Sequence, residues 1–264
     1  EQFQAKELTE FHAIDKDFDK SVIEKLTKYS KSLIKLSFHP AQGQTEAVLR
    51  QISLNFTNLI HLKLQFTFFS MMNNLVIKSP LSKLTQLKNL TLDLGQFFDE
   101  DVDDGLLFMI KDGIDSLESL ELIRACLSPK SFGNIKYCLP QLKKLTLHTI
   151  DIQCICMIDD LLDKIEKNSC TLCRTKAWKS VAELRQLNQI QLIQMYHRQQ
   201  PMKRLHDEFI QQIKQFTSLK RMRITCMDIS NCDLIQTLIE YCNEMPIKLT
   251  CSSSKSSSSK ENQF

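Results

Sequence analysis

The residues with the most chemical potential in this chain are four cysteines in two close pairs, Cys154-x-Cys156 and Cys170-x-x-Cys173. Joined by a short helix, they could offer four thiolates to a tetrahedral zinc ion. The spacing is a weaker signal than two Cys-x-x-Cys pairs, and structural zinc mostly supports domains too small to build a core. Free cysteine also packs well as a small hydrophobe. The expectation is buried thiols and no metal. A redox role for Cys170 with Cys173 lacks thioredoxin-like surroundings. The acidic run Asp99–Asp104 sets Asp99, Asp101 and Asp103 at alternate positions, as a calcium loop would. Its glycine comes one place late, at Gly105, and Ile110 stands where the bidentate glutamate is needed, so the run reads as a solvated helix start. The histidines His12, His39, His61, His148, His197 and His206 lie beside no recognisable nucleophile motif, and Gly43 and Gly133 are isolated. No catalytic residue and no cofactor is expected.

The elements that must position these groups are set by a repeated phrase. Leu-x-x-Leu-x-Leu starts at Leu33 (ending in Phe38), Leu59, Leu87, Leu117 and Leu142, and returns in looser form at Leu187 and Leu219. Ile247-x-Leu249 is a remnant. The intervals are 26, 28, 30, 25, 45 and 32 residues. Inside each phrase the apolar period is two, as in a half-buried strand. Between phrases it is helical: Val22, Ile23, Leu26 and Tyr29 make one stripe, and Val48, Leu49, Ile52 and Phe56 another. Leu106–Ile110, Ile158–Ile165, Phe209–Phe216 and Leu234–Tyr241 follow the same pattern. Asp17 and Asp19 before the first helix suit its dipole. Pro129 can open a helix, and Pro140 can end it.

A strand–helix unit at a fixed period predicts an α/β solenoid with all strands parallel. Strands pair ~4.8 Å apart, whereas helices pack at ~8–10 Å. The stack should therefore curve into a horseshoe, strands on the concave face and helices on the convex one. Residues 17–251 read as the repeat domain, with an irregular interval about 150–186. Residues 1–16 read as an N-terminal cap, helical or frayed, and 252–264 as a disordered Ser/Lys-rich tail. The long interval has room for one worn repeat. Alternatively Thr171–Ser180 is a surface loop in which Arg174, Lys176 and Lys179 surround Trp178 as a basic, aromatic contact; a partly buried Trp covering a stack edge is the other reading.

This pattern resembles the leucine-rich repeat superfamily in its long strand–helix form. Tyr137-Cys138-Leu139-Pro140-Gln141-Leu142-Lys143-Lys144-Leu145-Thr146-Leu147 is similar to the Cys-Pro-x-Leu-x-x-Leu-x-Leu phrase of F-box/leucine-rich repeat proteins, with Cys138 one place further from the Leu. Tyr241–Leu249 is a looser echo. The Asn or Cys usual three residues after the phrase is replaced by Thr67, Gly95, Ala125, Ile150, Met195 and Met227, so the family's turn ladder is absent or rebuilt. The resemblance implies a protein-recognition module, the substrate-binding repeats of an SCF-type ubiquitin ligase subunit. An F-box would lie upstream of Glu1, and the ligase adaptor is a partner only then. The alternative is a stand-alone leucine-rich repeat scaffold or regulator.

Partner-facing positions follow from the period of two. They are Lys35, His61, Lys63, Gln65, Asn89, Thr91, Asp93, Glu121, Lys144, Thr146, His148, Gln189, Gln191, Arg221 and Arg223, together with the shorter or apolar Ser37, His39, Ser119, Ile123, Ile193 and Thr225. A net charge of +3 is too small for a nucleic-acid binder. No window has the ~20 apolar residues of a membrane span, and no signal peptide is visible. Ten cysteines without a paired framework suit a reduced compartment, cytoplasmic or nuclear.

Overall fold

Each repeated phrase forms a strand, and the strands stand side by side in chain order. The structure, a computed structural model, describes residues 8–41, 45–66, 81–94, 110, 113–148, 151–152, 171–193, 209, 212–226, 238–240, 242–243, 246–253 and 262–263. The strands are β1 (Glu10–Phe18), β2 (Lys35–Pro40), β3 (His61–Gln65), β4 (Asn89–Asp93), β5 (Ser119–Ile123), β6 (Cys126–Leu127), β7 (Lys144–His148), β8 (Asp151–Ile152), β9 (Gln189–Ile193), β10 (Arg221–Cys226), β11 (Lys248–Ser253) and β12 (Asn262–Gln263). One open sheet has the order β1-β2-β3-β4-β5-β7-β9-β10-β11-β12. Its first nine strands are parallel, and β12 closes it antiparallel. β6 and β8 make a separate small parallel pair.

The pairing is in step, so like positions lie beside like. Leu36, Leu62, Leu90, Leu120, Leu145, Ile190, Met222 and Leu249 form one buried row. Phe38, Leu64, Leu92, Leu122, Leu147, Leu192, Ile224 and Cys251 form a second. Both rows share one core with the apolar stripes of the helices, including Ile23, Leu26, Val48, Leu49, Ile52, Phe132 and Ile135. A slip of one residue would turn every one of these side chains to the other face, which is why the register is so tightly specified.

The step between strands repeats in detail. The carbonyl of Ile34 accepts from the N–H groups of Ile60 and His61, both at 3.0 Å. Ile60, Lys88, Glu118, Lys143 and Asn188 each accept in the same way from two successive residues of the next strand start. The long interval does not interrupt this. Lys143 receives Asn188 and Gln189 at 2.9 and 3.1 Å, and β7 pairs directly with β9. No strand fits between them, so the sheet has no place for the worn repeat that the interval could have hidden.

The missing turn ladder has a counterpart on the other side of the strands. The residue before each phrase is Ser32, Asn58, Gln86, Ser116, Gln141, Gln186 or Ser218, a hydrogen-bonding side chain every time. Ser32 donates to Leu8 O at 3.0 Å, Asn58 to Lys31 O at 3.0 Å and Ser116 to Leu87 O at 2.8 Å. Ser218 donates to Arg185 O, and Gln186 reaches the Gln141 side chain at 2.6 Å. These five bonds each tie a step to the one before it, and four of them satisfy backbone carbonyls that a turn leaves open.

Four helices are described: α1 (Lys20–Leu26), α2 (Thr45–Asn55), α3 (Pro129–Cys138) and α4 (Thr171–Ala182), with a 3-10 turn at Thr27–Tyr29 after α1. Asp19 caps α1, accepting from the N–H groups of Ser21 and Val22. Its pKa lies below the ordinary carboxylate value because the Ser21 hydroxyl also donates to it. Ser128 caps α3 by accepting from Ser131 N at 3.0 Å, Pro129 opens the helix, and Pro140 follows its end.

Three expectations change. The stretch to Lys16, read as a helical or frayed cap, carries most of β1, which pairs with β2 through a shift between Ala13 and Asp17. The tail from Ser252 begins inside β11, and Asn262–Gln263 pairs back on that strand. Thr171–Ser180 is not a surface loop but the body of α4, and Trp178 is fully buried. The Trp178 ring sits edge-on between Phe132 and Phe209, each 4.8 Å away centroid to centroid. A ring held on both sides by other rings is core, so it offers no contact to a partner.

Candidate recognition surface on the outward sheet face

The outward side chains of the strands form rows, because the register that aligns the leucines aligns their neighbours too. The first row runs Glu10, Lys35, His61, Asn89, Ser119, Lys144, Gln189, Arg221, Lys248. The second runs His12, Ser37, Lys63, Thr91, Glu121, Thr146, Gln191, Arg223, Thr250. Along a third, Gln65, Asp93, Ile123, His148, Ile193 and Thr225 are paired in turn. Arg221 and Arg223 are exposed, while Lys35, His61, Lys63, Gln65, Asn89, Thr91, Glu121, Lys144, His148, Gln189 and Gln191 are half-buried.

Three of the expected partner-facing residues are not open. Thr146 is 3% exposed and Asp93 is 7% exposed, and Ser37 is also buried. A short side chain in a row of longer ones, with neighbours only ~4.8 Å away, is roofed over. Asp93 is held as well as covered. Arg124 donates to it twice, Nε to Oδ1 and a terminal nitrogen to Oδ2, both at 2.7 Å. This fork on a carboxylate is the strongest pairing geometry arginine has, and it raises the Arg124 pKa, chiefly through the hydrogen bonds. Arg124 adopts φ +51°, an uncommon backbone for a residue with a side chain. Its own N–H donates to His148 O at 2.8 Å, so the residue spans from β4 to β7 across the end of β5.

Three more carboxylates on or beside this face are also engaged. Glu10 lies 2.7 Å from Lys35, and its pKa is lowered by that bond and then by His12. Glu118 bridges Lys143 at 3.0 Å and Lys88 at 3.4 Å. Thr91 donates to Glu121 at 3.0 Å. Burial holds the His61 imidazole below its ordinary pKa, Lys35 adds to this, and Glu10 opposes it. His61 therefore stays neutral near pH 7 and offers one donor and one acceptor.

Sequence reasoning missed several members of this face. Glu10 and His12 come from β1, whose alternation of polar residues with Phe11 and Ala13 was visible but lacked a leading Leu-x-x-Leu. Lys248 and Thr250 come from β11, which appeared only as a remnant. Arg124 had no signal in the sequence.

The other chemistry weighed from the sequence falls mostly outside the described residues. Cys154, Cys156 and Cys170 lie outside the described residues, as does the run Asp99–Asp104; Cys173 falls in α4. Among the described residues no group of three or more His, Cys, Asp or Glu is placed to hold a metal ion. Also among the described residues, no helix is long and apolar enough to cross a membrane.

Compared with known proteins, the chain matches no family model and no curated protein. What defines it is the sheet itself: an α/β protein with nine parallel strands in chain order, its leucines on the core side and a polar strip on the other.

Proposed function

We propose that this chain is a leucine-rich repeat solenoid and that the outward face of its sheet recognises another protein. The observation that carries the reading is the unbroken register from β2 to β11, joined by Glu10–Ala13 of β1, which lays polar side chains in continuous rows across the sheet. Parallel strands spaced more closely than helices favour a concave strand face, and a curved strip of this kind holds a convex or extended partner. Nothing in the strip combines a nucleophile with a base, so no reaction is assigned to it.

The preferred role is that of substrate-holding repeats in an F-box ubiquitin ligase subunit. Its support is the resemblance of Tyr137–Leu147 to that family's repeat phrase. In this role the repeats hold a target while a separate adaptor recruits the ligase. A scaffold or regulator unconnected with ubiquitin would use the same face.

The test is co-purification of the protein expressed from its complete reading frame, with a photo-crosslinker placed at Gln191. A crosslinked partner together with a cullin-linked adaptor is the expected result. A partner without the adaptor removes the ligase role and leaves the scaffold. Crosslinks formed only from helix-layer positions such as Tyr137, and none from the outward strand face, would overturn the recognition reading.

A further inference from the structure

The outward face changes character along its length. In the half built from β1 to β5, cations alternate with carboxylates, and Glu10, Asp93 and Glu121 are each bound to a neighbour. The strands β7, β9, β10 and β11 contain no Asp or Glu at all. Their first outward row reads Lys144, Gln189, Arg221, Lys248, and the second includes Gln191 and Arg223. Lys144 and Gln189 are half-buried, while Arg221, Arg223 and Lys248 are exposed.

We propose that this C-terminal half binds an extended, acidic polypeptide segment lying across β7, β9, β10 and β11. The proposal rests on the reading of the outward face as a recognition surface, and it names the chemistry of what is recognised. Four strands at ~4.8 Å make a strip ~14 Å wide, about four extended residues at ~3.4 Å each. Cations flank the glutamines within it. Arginine suits a carboxylate, since its guanidinium can donate twice. Gln189 and Gln191 each supply donors and an acceptor, which an extended peptide backbone can use in full. A DNA backbone presents acceptors alone and would leave the glutamine carbonyls without a donor from it. Within these four strands the cations stand without a carboxylate, on a chain whose net charge is only +3, which also favours a local acidic segment over a polyanion.

The experiment uses the full chain and a labelled peptide of alternating Glu and Ser, followed by fluorescence anisotropy at low and high salt. A Lys-Ser peptide and a single-stranded oligonucleotide of equal length serve as comparisons. The acidic peptide is expected to bind, more weakly as salt rises. Arg221→Glu combined with Lys248→Glu should weaken it about tenfold or more. Lys130→Glu, exposed on helix α3 and away from the sheet face, should leave it unchanged. Unaltered thermal melts check that both variants fold. The proposal falls if the acidic peptide does not bind, if the double variant binds it equally well, or if the oligonucleotide binds more tightly. Failure here with a partner still crosslinked through Gln191 would overturn the acidic ligand and leave the recognition surface. Failure of both would remove the surface as well.

Discussion

Leu145→Ala tests the register of the whole sheet at one position. Leu145 is fully buried in β7, with Leu120 of β5 and Ile190 of β9 directly beside it. Truncation removes about three carbons, worth ~0.8 kcal/mol each in transfer free energy. The flanking strands are paired on both sides and can collapse little, so a cavity contribution adds to this. The expected cost is ~3 kcal/mol, within the ~2–5 kcal/mol seen for buried leucines. At ~2–4 °C per kcal/mol for a chain of this size, Tm should fall by ~6–12 °C. Lys144→Ala, one residue earlier and outward, should stay within ~0.5 kcal/mol. Urea unfolding followed by circular dichroism measures both. Hydrogen exchange adds a spatial check. Because each step contacts mainly its neighbours, amides of β5 and β9 should lose protection along with β7, and those of β2 should not. Equal losses for Leu145→Ala and Lys144→Ala would refute the assignment of faces, and with it the rows on which the recognition surface is built.

Trp178 is the single tryptophan, so its fluorescence reports one site. Native emission should be blue-shifted and poorly quenched by acrylamide, and Trp178→Ala should cost ~3–5 kcal/mol. Its buried Nε1–H has no partner among the described residues, so Trp178→Phe should cost much less than the alanine change. Arg124→Ala removes both of its hydrogen bonds to the buried Asp93 and should cost ~1–3 kcal/mol by denaturant titration, part of it recovered when Asp93→Ala is added. The Cys242 thiol is pushed up to about 11 by burial and by Cys251 nearby. An unfolded cysteine titrates near 8.5. The folded state therefore keeps a proton that the unfolded chain gives up. This contribution is complete below about pH 8.5 and is lost as pH rises through about 11. Cys242→Ser should flatten the fall in Tm over that window.

Legibility followed the range of the interactions involved. The strands β2, β3, β4, β5, β7, β9 and β10 could be read because seven phrases repeat with apolar residues two apart; the short β6 and β8 carry no such phrase. β1 escaped because Glu10–Phe18 has the alternation without the leucines. β11 shrank to a remnant because its pairing with β10, more than its own residues, makes it a strand. The polar residue before every phrase was plain in the sequence, but its purpose appeared only when Asn58 and Ser116 were seen to reach carbonyls of the preceding step. Trp178 read either as a surface contact among Arg174, Lys176 and Lys179 or as a partly buried cover on a stack edge. Its ring partners Phe132 and Phe209 lie far away in the chain and come together only in the helix layer.

Local periodicity determined, without any coordinates, that strands alternate with helices and which side chains of each strand turn inward. That information is written within a few residues, where backbone geometry alone sets the spacing of side chains. Tertiary structure decided which outward residues are accessible, that Asp93 is neutralised by Arg124, and that the long interval adds no strand to the main sheet between β7 and β9. Those outcomes depend on groups brought within a few ångströms by pairing between distant segments, and no window of sequence contains both partners.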